Sequence, residues 1–352
     1  MSDTESHLAS YSAPLVIGNQ SVKPGKKGIV DLTVGSQLDY QPVEMCVHVR
    51  RGRQPGPTLL LTAGIHGDEL TGVEILRRLL KSRRLQSLRG SLLVIPVVCM
   101  PAFLNRSRYL PDRRDLNRLF PGSTEGSLGG RLASTFIDEV VNQSHYAIDY
   151  HAGAVGRPNL PQIRVTESEV DSMVLAKAFK PPVIIETALR EGSLRYQFGR
   201  LGIPSLLYEA GEAGRLDSAS IRYGLRGTFN VLEHLEMLPP PRHKSEPKSK
   251  TVVATGTQWL RAPQGGLFSN NVDLGQAVGP DTKLGVVGDP LGRRETPLTS
   301  DTDGVVIGFN RLATVDEGDA LFHIATTSNP EKAEAHIQRS EEIMEEHTAP
   351  LH

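Results

Sequence analysis

Three apolar runs constrain this chain more than anything else in it: Thr58–Ala63 (TLLLTA), Ser91–Val98 (SLLVIPVV) and Tyr146–Tyr150 (YAIDY). None alternates apolar with polar, so each suits a strand buried on both faces, and such strands belong to sheets covered by helices on either side. After the first run, Val73, Leu76, Leu79 and Leu80 recur at three- and four-residue spacing, which predicts an amphipathic helix from Asp68 to about Lys81. Further strands are expected at Val183–Thr187 and Ser205–Tyr208, helices at Leu128–Val141 and Ser220–Glu236, and earlier β segments at Gly28–Tyr40 and Val43–Val49. Strands alternating with helices predict an α/β fold: a mixed, largely parallel central sheet with helices on both faces.

The composition breaks at Leu238–Lys250, LPPPRHKSEPKSK, where three prolines precede a polar stretch. That reads as an extended linker at 239–250. It separates an α/β domain at 13–238 from a small all-β domain at 251–327, whose short pieces (KLGVVG, GVVIGF, ALFHIA) are divided by turns. Residues 1–12 are expected to be frayed and polar, and 328–352 to form a charged tail. Pro330–Glu346 reads there as an exposed helix, a frayed end or a homo-oligomer contact.

With 39 basic and 40 acidic residues the chain has no global attraction for nucleic acid or membrane. Two cysteines, Cys46 and Cys99, in apolar contexts read as core thiols rather than a disulfide framework. The opening MSDTESHLASYSAP lacks the basic and apolar regions of a secretory signal. No window approaches the roughly 18 apolar residues that span a bilayer, so a cytoplasmic protein is expected.

Chemistry collects where the strands end. GIHGDEL follows the first run, and its H-x-x-E places His66 and Glu69 three residues apart, within reach of one ion if the backbone turns. A helix cap at Asp68 explains the stretch equally well when it is taken alone. DYHAGA then supplies His151 at the end of another strand, with Asp149 available to orient it, and His₂Glu with an open fourth position is a catalytic zinc set. In open α/β sheets ligands bind at the carboxyl ends of strands, where both clusters emerge. RSRYLPDRRDLNRLFPG carries five arginines between Arg106 and Arg118, forks suited to carboxylates, with Asn117 adding amide donors. LLYEAGE offers Glu209 at a further strand end as a general base, with Glu212 competing.

In this order, GIHGDE, RDLNRLFPG, DYHAGA and LYEAGE resemble the succinylglutamate desuccinylase/aspartoacylase family of the zinc carboxypeptidase superfamily. The motifs span roughly residues 43–238, and RPNLPQIRV with GIPSLLYEAGE is most similar to the predicted-deacylase branch. The resemblance implies one Zn²⁺ per chain on His66, Glu69 and His151, and Glu209 as catalytic acid and base. It implies that Asn117 and Arg118 bind a substrate carboxylate and that Arg108 polarises the scissile carbonyl, with Arg106, Arg113 and Arg114 close by. DYHAGA departs from the family's D-L-H-(T/N/S), keeping His151 but placing Ala152 after it, which bears on the acyl group accepted more than on the metal.

The implied activity is zinc-dependent cleavage of the amide of a small N-acyl amino acid or related carboxylate-bearing substrate. A metallocarboxypeptidase and a non-catalytic zinc-containing binding protein are the alternatives. The family also carries a C-terminal β domain. Here DTDGVVIGF…VDEGDALFHI is similar to biotinyl/lipoyl half-barrels, but Lys283 is not placed as a carrier lysine.

Overall fold

The apolar runs lie where a two-sided core needs them. In the computed structural model, which describes residues 11, 13–166, 169–240 and 250–346, Leu59 and Leu61 face one core while Leu60 between them faces the other. The first half of the chain supplies a hairpin, β1 (Leu15–Ile17) and β2 (Gln20–Val22), then β3 (Lys27–Ser36), β4 (Pro42–Arg51), β5 (Gln54–Thr62) and β6 (Arg89–Ile95). Next come β7 (Tyr146–Gly153), β8 (Asn159–Val165), β9 (Val183–Glu186) and β10 (Ser205–Glu212). The centre of the sheet runs β6-β5-β7-β10, all parallel, with β4 and β3 added antiparallel at one edge. Helices Leu70–Lys81, Val170–Phe179 and Ser218–His234 cover one face; Leu128–Glu139 and Leu194–Arg200 cover the other.

Three features depart from the sequence expectations. Asn159–Val165 is a strand although Pro161 stands inside it. The ladder to β10 slips between Gln162 and Asn159, so the missing proline N–H interrupts no paired position. The predicted strands also run further than the apolar residues: β7 continues to Gly153 and β10 to Glu212, which places His151 and Glu209 inside strands rather than after them. Finally, Pro330–Glu346 is not an exposed helix. Ala333 and Ile337 are buried beside Leu160 and Val305, Met344 joins the opposite core, and Tyr223 donates to Ser340 at 2.8 Å.

The C-terminal strands are β11 (Val252–Ala254), β12 (Thr257–Arg261), β13 (Gly266–Asn270), β14 (Ala277–Val278), β15 (Lys283–Gly288), β16 (Glu295–Thr299), β17 (Gly304–Phe309), β18 (Thr314–Val315) and β19 (Ala320–Thr326). Four of them form a separate sheet, β16-β15-β13-β18, packed through Phe268, Leu284, Val287 and Phe322. The others extend the central sheet, which forks at β8. One branch adds β9 and then β11 in parallel; the other adds β17, β19 and β12 through the pairing of Gly308 with Asn159. Lys283 opens β15 opposite Thr299, away from any hairpin tip. The linker expectation falls mostly on 241–249, and the frayed ends on 1–10 and 347–352, all outside the described residues. Both cysteines are free and Cys99 is buried. Among the described residues no helix is long and apolar enough to cross a membrane.

Candidate active site

The turn after β5 can exist only because of its glycines. Gly64 has φ +61°, and a Cβ on Gly67 would lie 2.0 Å from the Ala102 carbonyl, so only glycine lets this turn press on helix Met100–Leu104. The chain then enters helix Leu70–Lys81 one residue later than a cap at Asp68 requires. Asp68 is therefore not the cap: Glu69 holds that position without capping, and Asp68 Oδ1 is buried with no partner. Burial pushes the Asp68 pKa up, and its carbonyl accepts from Gly214 N at 2.7 Å.

Glu69 is released from capping to stand between two histidines. Its Oε1 lies 2.6 Å from His66 Nδ1 and its Oε2 2.9 Å from His151 Nδ1, with Ala152 N donating to Oε2 at 2.9 Å. All three side chains are buried, and their candidate ligand atoms lie within 4.8 Å of one another. The outer ring nitrogens are held by acids: His66 Nε2 lies 3.1 Å from Asp115 Oδ1, and His151 Nε2 2.9 Å from Asp149 Oδ2. Thr62 Oγ1 donates to the other Asp149 oxygen at 2.8 Å. An Nε2–H donated outward leaves each Nδ1 lone pair facing Glu69, the tautomer a metal ligand needs.

The electrostatics fit a cation as well. Burial raises the Glu69 pKa, but the charges of His151 and His66 outweigh it and hold the carboxyl well below its usual range. His151 moves the other way: burial lowers its pKa, and Asp149 and Glu69 drive it well above the ordinary value. Three acids share this site with Arg108, whose Nη1 lies 3.2 Å from Glu69 Oε1 and whose Nη2 lies 3.0 Å from Asp115 Oδ2. With both histidines neutral, as metal ligands must be, the acids outnumber Arg108, an excess of negative charge that a divalent ion on His66, Glu69 and His151 would balance.

Arg108 touches the cluster, while Arg106, Arg113 and Arg114 are exposed. Arg118 is half-buried; a Cβ on Gly192 would lie 2.9 Å from its carbonyl oxygen, so the 190–193 loop closes over it. Asn117 is partly committed elsewhere, because its Oδ1 accepts from Leu194 N at 2.9 Å and pins the start of helix Leu194–Arg200. Asp115, inside RDLNR between Arg114 and Arg118, joins the site although the sequence expectations do not include it. Its side chain also accepts from Asn117 N at 2.8 Å, and despite burial the contact with His66 holds its pKa down.

Glu209 lies opposite His151 in the parallel β10–β7 register, so both side chains leave the same face of the sheet one strand apart. Asn159 Nδ2 donates to its Oε2 at 3.1 Å, and Arg164 Nη1 lies 3.9 Å from its Oε1. Glu212 is occupied differently, accepting from Gly156 N at 3.0 Å and from Arg311 Nη1 at 3.3 Å. Beyond Glu209 the sheet carries buried polar groups. Both amide ends of Gln162, Nε of Arg164 and both ring nitrogens of His323 are buried without partners. No motif marks these residues; they become a group only when β8 and β19 share a sheet.

His323 stacks on Trp259 with ring centroids 4.1 Å apart, and burial with the Arg164 charge pushes its pKa down from 6.5 to about 3. The unfolded chain therefore takes up this proton first, and stability is lost as pH falls below 6.5. Urea unfolding at pH 7 and pH 5 is expected to show wild type losing about 2 kcal/mol more than His323→Phe, at about 1.4 kcal/mol per pH unit. Equal losses would refute the assignment.

Two histidines and a glutamate that could hold one ion, with Glu209 opposite His151 one strand away, suit a metal-assisted hydrolase, and the relatives of the chain make it a hydrolase of amide bonds. Residues 55–235 match the model of the succinylglutamate desuccinylase/aspartoacylase catalytic domain, and the chain belongs to that family. The N-alpha-acetyl-L-2,4-diaminobutyric acid deacetylase of Halomonas elongata is 27% identical over 288 residues, covering 79% of this chain and 84% of that protein. The succinylglutamate desuccinylase of Ectopseudomonas mendocina is 28% identical over 180 residues, and the match covers 46% of this chain and 52% of that protein, about half its length. Among solved structures, the product-bound ectoine utilization protein EutE (DoeB) of Ruegeria pomeroyi is 26% identical with TM-score 0.76, covering 86% of this chain and 95% of that one. The succinylglutamate desuccinylase/aspartoacylase of Rhodobacter sphaeroides is also 26% identical, with TM-score 0.75 and coverage of 85% and 94%.

Proposed function

We propose that this protein is a zinc-dependent deacylase that cleaves the amide of a small N-acyl amino acid or a related carboxylate-bearing substrate. The observation that carries the reading is the lateral register of Glu209 with His151, which sets a carboxylate beside the buried His66–Glu69–His151 donors. His66 Nδ1, Glu69 and His151 Nδ1 would hold one zinc ion, which when bound supplies Lewis acidity toward a carbonyl and lowers the pKa of water. Glu209 takes the proton of the attacking water and returns it to the leaving amine. Arg108 steadies negative charge on the carbonyl oxygen, while Arg118 and the Asn117 amide hold the substrate carboxylate.

The buried, unpartnered polar atoms of Gln162, Arg164 and His323 on the Glu209 side favour a small polar substrate over an apolar peptide side chain. The name of the Halomonas relative points the same way. In this proposal 13–238 carries the chemistry, 251–327 is the β unit, and the setting is cytoplasmic. Purified protein supplied with zinc is to be assayed against a panel of N-acyl amino acids and a panel of peptides. Turnover confined to the acyl amino acids is expected. Release of C-terminal residues from peptides instead would establish the carboxypeptidase reading, and inertness toward both panels the binding-protein reading.

A further inference from the structure

The geometry points to Asn159 as the positioning residue for Glu209, and to strand β17 of the C-terminal unit as its brace. This rests on Glu209 acting as the base. Along β8 and β10, Gln162 lies opposite Glu209 and Asn159 opposite Gly211, so three steps on β8 match two on β10. In an unbroken strand, residues three apart point to opposite faces. The extra residue is a bulge, and it brings Asn159 round to the side of Glu209. There its Nδ2 lies 3.1 Å from Glu209 Oε2.

The far side of Asn159 belongs to the C-terminal unit. Gly308 of β17 pairs with Asn159, and a Cβ on Gly308 would sit 2.9 Å from Asn159 Oδ1. The preceding loop is clamped by the same unit: Arg311 N donates to Gly156 O at 2.7 Å, and Arg311 Nη1 donates to Glu212, which also accepts from Gly156 N. A base acts only when its free lone pair meets the proton it removes. With Oε2 tied to Asn159, Oε1 is the oxygen left for that proton. The charged groups around Glu209 are Arg164 on β8, Arg195 on helix Leu194–Arg200 and His151 on β7.

The test compares Asn159→Ala, Asn159→Asp and Gly308→Val on an N-acetyl amino acid that the wild type hydrolyses, with zinc content and melting temperature measured alongside. Asn159→Ala is expected to lower kcat roughly 10–100-fold, with KM and zinc content within about twofold of wild type on the same argument, since Asn159 touches neither substrate carboxylate nor donors. Asn159→Asp is expected to fall further at neutral pH and to recover as the pH drops and a shared proton restores the donor. Gly308→Val is expected to lower kcat with Asn159 intact. In infrared difference spectra of the metal-free protein between neutral and acid pH, the carboxylate band abolished by Glu209→Gln is expected to shift in Asn159→Ala.

Equal activity of the Asp and Ala variants at every pH, a rise in KM at unchanged kcat, or an unshifted band would overturn the inference. An active Glu209→Gln variant would instead overturn the reading beneath it.

Discussion

Glu209→Gln is expected to lower kcat about 10²–10⁴-fold, with zinc content and melting temperature close to wild type. The substitution is nearly isosteric, and a glutamine oxygen still accepts from Asn159 Nδ2, so the local structure has no reason to move. What disappears is the ability to take a proton. Glu212→Gln is the informative contrast. Glu212 already accepts from Gly156 N and Arg311, so its replacement is expected to lower the melting temperature and to lower kcat far less than Glu209→Gln does. A Glu209→Gln variant with wild-type turnover would sink the assignment, and loss of turnover in Glu212→Gln alone would transfer the role.

The second large effect concerns the metal. His66→Ala is expected to bring zinc, measured by elemental analysis after exhaustive dialysis, from about one ion per chain to near none, because two of three protein ligands cannot retain it. Full occupancy would refute the ligand set. The acids behind the histidines allow a graded version of the experiment. Asp115→Asn and Asp149→Asn keep the shape but weaken the hold on His66 and His151, and are expected to cost about 10–100-fold in zinc affinity. Identical affinities in wild type and both variants would show that the two aspartates do not orient the histidines.

How much of this could be read from the residues depends on the range of the interaction. The apolar runs of β5, β6 and β7 and the helix Leu70–Lys81 announce themselves locally, through periodicity. That His66, Glu69 and His151 gather, with Glu209 one strand away, is legible because each follows an apolar strand run and strand ends of a parallel sheet meet. Asp115 carries no such signal, since its contact with His66 spans 49 positions, which no local spacing encodes. The strand Asn159–Val165 was hidden by Pro161, whose local preference is overridden by a ladder that slips at that point. Asp68 went the other way: its residue type suits a cap, but the helix starts where Glu69 is needed by the histidines. The docking of Pro330–Glu346 has no local signal because the groove it fills is assembled from separate elements, β8, β9, β11 and β17, that only the fold brings together.

The forked sheet also bears on how the protein stays in solution. A fragment ending before Val252 would bare the flank of β9 that pairs with β11 and the start of β8 that meets Gly308. Rows of unpaired N–H and C=O groups on apolar strands recruit other chains. The residues after 251 thus serve as an edge guard, and a shortened catalytic half would be prone to aggregate whether or not its chemistry survived.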